Sequence, residues 1–209
     1  MNDCLEGTIS QSTTDRALAA MKHFALTAAI FEGSLVVLAV VLGWLLAQPP
    51  LRSFRFEWSG ALLGLAATLP PLGLFLISLR CPWRPFQGIA RIVDETLVPL
   101  FKDCRLVELA IIATLAGIGE EMLFRGVIQT AVAEEIGGPY GVWLGLVIAA
   151  VLFGLLHPIT PTYAVLAGLI GLYLGWLWLW CGNLLTPVTT HGLYDFLALL
   201  YLVKLRGKR

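Results

Sequence analysis

Six runs of about twenty mostly apolar residues, separated by proline, glycine and charge, restrict what this chain can fold into more than any other feature. They extend over roughly Phe24–Ala47, Trp58–Leu79, Leu106–Gln129, Val142–Leu156, Tyr163–Trp180 and Pro187–Val203. A run of that length spans the hydrocarbon core of a bilayer as an α-helix. In lipid, a single segment can satisfy its backbone polar groups only by helical hydrogen bonding. The expectation is therefore an all-α, polytopic membrane bundle of about six spanning helices. Only 13% of the residues are charged and 58% are apolar, whereas a soluble domain carries about 25% charged residues. A net charge of zero argues against nucleic acid as a partner. The expected organisation is a polar N-terminus over 1–22, a membrane-embedded domain over 23–203 and a basic tail over 204–209.

The breaks have physical causes. Gln48-Pro49-Pro50 stops the first run, since proline cannot continue the hydrogen-bond ladder. Gly137-Gly138-Pro139 separates the third and fourth runs, and Pro158 and Pro161 separate the fourth and fifth. Between Arg80 and Arg105, the stretch Phe86–Phe101 sets Ile89, Ile92 and Val93 against Arg91, Asp94 and Glu95 at helical spacing. This predicts an amphipathic helix at the interface. Arg80, Arg84, Arg91, Lys102, Arg105 and the C-terminal Lys204, Arg206, Lys208 and Arg209 mark one side as cytoplasmic. Both termini are then cytoplasmic, in a plasma or inner membrane, with Arg52 and Arg55 a mild exception. Trp44, Trp58, Trp143, Trp176, Trp178 and Trp180 fall toward the other side, as an interfacial belt does. The first apolar run is too long for a signal-peptide core, so no cleavage is expected. Cys4, Cys81, Cys104 and Cys181 have no metal-type spacing and read as free thiols or packing residues. Small residues four apart, at Gly141/Gly145, Ala150/Gly154 and Gly171/Gly175, suit close helix contacts.

Charge inside these runs is costly, about 2.5–3.5 kcal/mol per group on insertion scales, and it is concentrated. The third run holds Glu120, Glu121 and Arg125; the fourth ends on Phe153-Gly-Leu-Leu-His157; the sixth holds His191 and Asp195. Glu121 and Arg125, four apart, share a helix face and can pair. Glu120 lies about 100° around the helix, where Arg125 serves it less well. A carboxylate without a cation in a low dielectric suits general acid–base work. His191 and Asp195 also share a face, so that the carboxylate orients the imidazole or both point at one ion. Glu120, His157 and His191 are a ligand set that suits zinc with water at its open position. The metal-free alternative has Glu120 take a proton from water while the histidines hold that water and stabilise the oxyanion. Glu32, inside the first run, either snorkels or lines the same cavity. Straight helices would spread Glu120, His157 and His191 over roughly 16 Å of depth, so one site needs staggered or kinked helices, with Gly117, Gly119 and Pro187 as places for that.

Glu120-Glu121-x-x-x-Arg125, Phe153-x-x-x-His157 and His191-x-x-x-Asp195 resemble, in order and spacing, the three motifs of the CPBP intramembrane proteases. That family includes the type II CAAX prenyl endopeptidases and the Abi bacteriocin self-immunity proteins. The resemblance runs from Leu106 to the C-terminus, the first two runs matching only in kind; at Asp195 the family commonly has asparagine or a similar residue, and aspartate is a tolerated variant. It implies a helical core with a site open to the cytosol, and hydrolysis of a peptide bond in a peptide or membrane-protein substrate. It also implies that Glu120 and His157 activate the water and that His191 and Asp195 complete the site. Glu121, Arg125 and Phe153 are read as supporting residues. Two other functions use the same residues: a non-catalytic immunity or scaffold protein, and a proton-coupled transporter. The short chain without internal repeats disfavours the transporter.

Overall fold

The computed structural model describes residues 2–206, and their side chains from Phe24 onward apart from Leu205. The sequence readings at Cys4, the polar stretch 1–22 and the tail beyond Arg206 therefore concern side chains outside the described set. Seven helices and no strand occur among the described residues: α1 (Asn2–Leu45), α2 (Trp58–Arg80), α3 (84–101), α4 (106–136), α5 (Gly138–Leu155), α6 (Pro161–Cys181) and α7 (185–206). The all-helical membrane bundle expected from the apolar runs is what forms. Within these helices, Phe24–Leu45, Trp58–Arg80, Gly138–Leu155 and Pro161–Cys181 are each long and apolar enough to cross a membrane. The other two expected spans, α4 and α7, are the helices that carry the internal charges. Their regular α-helical parts are shorter, 16 residues in Leu106–Glu121 and 17 in Leu185–Tyr201.

Two helices depart from regularity for identifiable reasons. α2 is interrupted at Thr68, before Pro70 and Pro71, because proline supplies no N–H to the ladder. The Thr68 hydroxyl donates to the Gly64 carbonyl at 3.0 Å, and Thr190 of α7 donates to the same carbonyl at 3.1 Å. α4 widens into a π-helical segment over Met122–Gln129, directly after the acidic pair. Such widened turns are uncommon and concentrate where a helix must re-aim its side chains.

One end of the bundle is clasped by the loop between α1 and α2. Leu184 N donates to Ser53 O at 3.1 Å, Trp178 Nε1 to Ser53 Oγ at 2.9 Å, and Arg52 pairs with Glu134 at 2.9 Å. Trp44, Trp58, Trp143, Trp176 and Trp180 are exposed around this end, as a belt requires. Trp178 differs from the expectation: its indole is turned inward onto Ser53. At the opposite end α3 lies across the bundle, with Ile89 and Val93 buried against Leu79 and Leu202 and Arg91, Asp94 and Glu95 outward. Arg206 of α7 forms a two-pronged ion pair with Asp94 of α3, and this holds the Asp94 carboxyl below the usual carboxylate range. Cys81, Cys104 and Cys181 are free thiols; burial pushes the Cys104 thiol up.

The small residues act as contact points rather than kinks. A Cβ on Gly117 of α4 would sit 2.7 Å from the backbone nitrogen of Gly192 and 3.0 Å from the Val188 carbonyl, both on α7. A Cβ on Gly119 would meet the Glu32 carbonyl of α1 at 2.9 Å. Gly154 lies against Ala164 and Gly168, joining α5 to α6. Gly117→Ala is accordingly expected to lower stability by about 1–3 kcal/mol, because the neighbours are backbone atoms that cannot rotate away. A thermal unfolding midpoint in detergent equal to that of the native protein would contradict this.

Candidate active site

The internal charges meet at the junction of α4, α5, α6 and α7. Glu121 is fully enclosed, and its Oε1 accepts from Arg125 Nη1 at 2.8 Å and lies 2.8 Å from His191 Nδ1. The expected Glu121–Arg125 pair thus forms, and it also carries a histidine that spacing along one helix could not assign to it. Arg125 is equally buried. Its Nη2 donates to the Gly171 carbonyl of α6 at 2.7 Å, and its guanidinium stands 4.9 Å over the Phe153 ring. The remaining edge of His191 faces Asp195, with Nε2 to Oδ2 at 3.4 Å. Arg125, Glu121, His191 and Asp195 therefore form one chain of charge contacts across two helices. Such a chain is the arrangement a low-dielectric interior requires of charged groups.

Glu120 points elsewhere. It is 8% exposed, takes no part in the Glu121 network, and its Oε2 has no hydrogen-bond partner. The Nε2 of His157 lies 4.0 Å from Glu120 Oε2. His157 lies past the end of α5 (Gly138–Leu155). The residue before a proline is disfavoured in the helical region, and Pro158 follows. The Nδ1 of His157 donates to the Phe153 carbonyl at 2.7 Å, since a carbonyl can only accept. In the neutral ring that leaves Nε2 as an acceptor on the side of Glu120. Phe153 fixes the arrangement: its ring stacks on His157 at 4.7 Å and meets His191 edge-on at 5.8 Å.

Glu120, His157, His191 and Asp195 line a single cavity of about 250 Å³. The depth spread expected from straight helices is not observed, because α7 does not begin at the bundle surface. Leu184 and Thr186 are fully enclosed, so His191 lies deeper than residue counting places it. The cavity runs toward the α3 end, where Ile89 and Val93 form part of its wall. It also takes in groups that sequence reasoning had not assigned: Tyr163, Tyr194 and the undecided Glu32. Tyr163 precedes no motif residue and reads as core, so no sequence signal separated it from the other apolar positions.

The donors do not gather as a metal centre. Among the described residues, no three His, Cys, Asp or Glu side chains converge as a ligand set. His191 has a carboxylate oxygen at each ring nitrogen, whereas His157 Nε2 and Glu120 Oε2 have no hydrogen-bond partner. The Glu120–His157 pair has the spacing to share one water. Its two hydrogens can go to Glu120 Oε2 and His157 Nε2, whose 4.0 Å separation is within reach of two bonds of about 2.8 Å to one oxygen.

Comparison with known proteins is consistent with this assembly. Residues 103–197 match the family described as type II CAAX prenyl endopeptidase Rce1-like. That segment runs from just before α4 into α7 and contains every residue of the charge chain and of the Glu120–His157 pair. The chain is also similar to the uncharacterized protein YpbD of Bacillus subtilis (strain 168). The two are 27% identical over 148 residues, covering 69% of this chain and 68% of that protein. No solved structure matches the chain.

Proposed function

We propose, from the match of residues 103–197 to the Rce1-like family, that the chain is an intramembrane endopeptidase that hydrolyses a peptide bond with a water activated by Glu120 and His157. The observation that carries this reading is the unpartnered Glu120 Oε2, 4.0 Å from His157 Nε2, at a cavity of about 250 Å³. A water bonded through both hydrogens to these acceptors turns its lone pairs outward. The water oxygen attacks the scissile carbonyl carbon, and Glu120 takes the proton it loses. The same proton passes to the amide nitrogen as the C–N bond breaks, so that amine and carboxylic acid products leave and Glu120 is ionised again.

Supporting parts keep that pair in place. Arg125 and Glu121 hold His191 by its Nδ1, and Asp195 faces the other edge of the ring. Phe153 packs against both histidines. The reaction runs without metal in this reading, because a zinc held by Glu120, His157 and His191 would require His191 to give up one of its carboxylate contacts. Bound zinc would supply Lewis-acid polarisation of the carbonyl and a more acidic water. The mouth of the cavity faces the cytoplasm, on the side bearing Arg80, Arg84, Arg91, Lys102 and Arg105.

The test is cleavage of a panel of prenylated and unprenylated peptides by purified protein, with zinc quantified by mass spectrometry. Cleavage that persists with chelator present and less than about a tenth of a zinc per chain is the expected result. One zinc per chain together with chelator-sensitive cleavage would overturn the metal-free mechanism and leave the hydrolase. No cleavage of any peptide by folded protein would favour the non-catalytic immunity or scaffold reading.

A further inference from the structure

The cavity holds one carboxylate more than hydrolysis requires. Glu32 enters its wall from α1, outside the segment 103–197 that carries the motifs. Its position follows from close packing. Gly119, next to Glu120, has no side chain and lies against the Glu32 carbonyl, so the two helices touch where both acids reach the cavity. Glu32 is within electrostatic range of Asp195 and His191, and Glu120 is within range of Glu32. An oxygen of Glu32 and one of Glu120 are each buried without a hydrogen-bond partner. Arg125 hydrogen-bonds to Glu121 and Gly171 and makes no hydrogen bond to either of these acids. Among the described residues, no lysine or arginine lines this cavity.

Buried carboxylates without donors are relieved either by taking up a proton or by a cation from outside. We infer that Glu32 is a specificity-determining residue that receives a basic group of the substrate, an ammonium or guanidinium on a residue beside the scissile bond. Only its cleavage arm rests on the hydrolase reading, because binding can be measured alone. The apolar walls, among them Phe75, Ile112 and Leu199, suit the methylene stem of a lysine or arginine side chain, with the charge carried to the acids at the inner end.

The experiment compares two short fluorescent peptides identical except for lysine or norleucine at the central position, binding to full-length protein in detergent micelles without net charge. The lysine peptide is expected to bind roughly tenfold or more tightly than the norleucine peptide. In Glu32→Gln that ratio is expected to fall to near one, and in Glu32→Asp to stay above it. The ratio is internal to each variant, so partial loss of folded protein does not disturb it. Equal binding of the two peptides by the native protein overturns the inference, and so does a lysine preference that survives in Glu32→Gln. If both peptides bind with the expected ratio and neither is cleaved, the hydrolase reading loses support while the basic-group site stands.

Discussion

Glu120→Gln is expected to lower peptide hydrolysis by about 10²–10⁴-fold, the usual contribution of a positioned general base, with the fold retained. The amide is isosteric with the carboxylate and cannot take a proton from water. Glu120 takes no part in the buried Arg125–Glu121–His191 chain, so its neutralisation leaves no ion behind without a partner. The measurement is kcat for a cleaved peptide, alongside the thermal unfolding midpoint in detergent. A drop in kcat with an unchanged or raised midpoint is the expected pair of results. Full activity in Glu120→Gln would falsify the assignment of this residue as base. Loss of activity together with loss of folded protein would place Glu120 in the structural network instead. His157→Gln serves as the companion variant, expected to reduce kcat less than Glu120→Gln, because it holds the water and does not take the proton.

Arg125 is expected to show the largest loss of stability of any single replacement in the chain. It is 1% exposed, and its partner Glu121 is completely enclosed. Arg125→Met removes the cation and leaves a buried carboxylate facing only His191, and breaking a buried ion pair on one side costs about 3–5 kcal/mol. It also removes the donor to Gly171 O and the cation from the face of Phe153. Arg125→Lys keeps the charge and loses the fork geometry that reaches Glu121 and Gly171 together, so an intermediate effect is expected. In Glu121→Gln/Arg125→Met the two ions leave together, and the double variant is expected to be more stable than Arg125→Met alone. Unfolding titrations in mixed detergent read these differences. A midpoint for Arg125→Met matching the native one would mean that the pair contributes nothing to folding.

The contrast between Glu120 and Glu121 also shows how far sequence reasoning reached. Adjacent acids look alike in the chain, and only helix geometry separates them: one position shares a face with Arg125 and the other does not. That argument identified the Glu121–Arg125 pair from spacing. It did not reach His191 Nδ1, because a contact seventy residues away depends on how α4 and α7 dock at Gly117 and Gly192. Glu32 remained undecided for the same reason. Its depth along α1 was readable, but its facing was set by the close approach of α1 to Gly119. The interfacial helix shows the converse. The alternation of Ile89, Ile92 and Val93 with Arg91, Asp94 and Glu95 was enough to predict a two-faced helix, and α3 buries Ile89 and Val93 and exposes those charges.

From the sequence alone came the all-helical membrane class, the approximate limits of the spans, the amphipathic helix and the six polar residues of the three motifs. These follow from local causes: apolar length against bilayer thickness, proline against the hydrogen-bond ladder, and side-chain spacing against the helical turn. The tertiary structure decided which carboxylate is bound and which is left facing the cavity. It also decided that His191 is occupied at both nitrogens and that a third acid comes in from α1. Those outcomes depend on the distance between helices, and that distance is set by where one backbone can press against another at a glycine, a relation between positions far apart in the chain that no local pattern encodes.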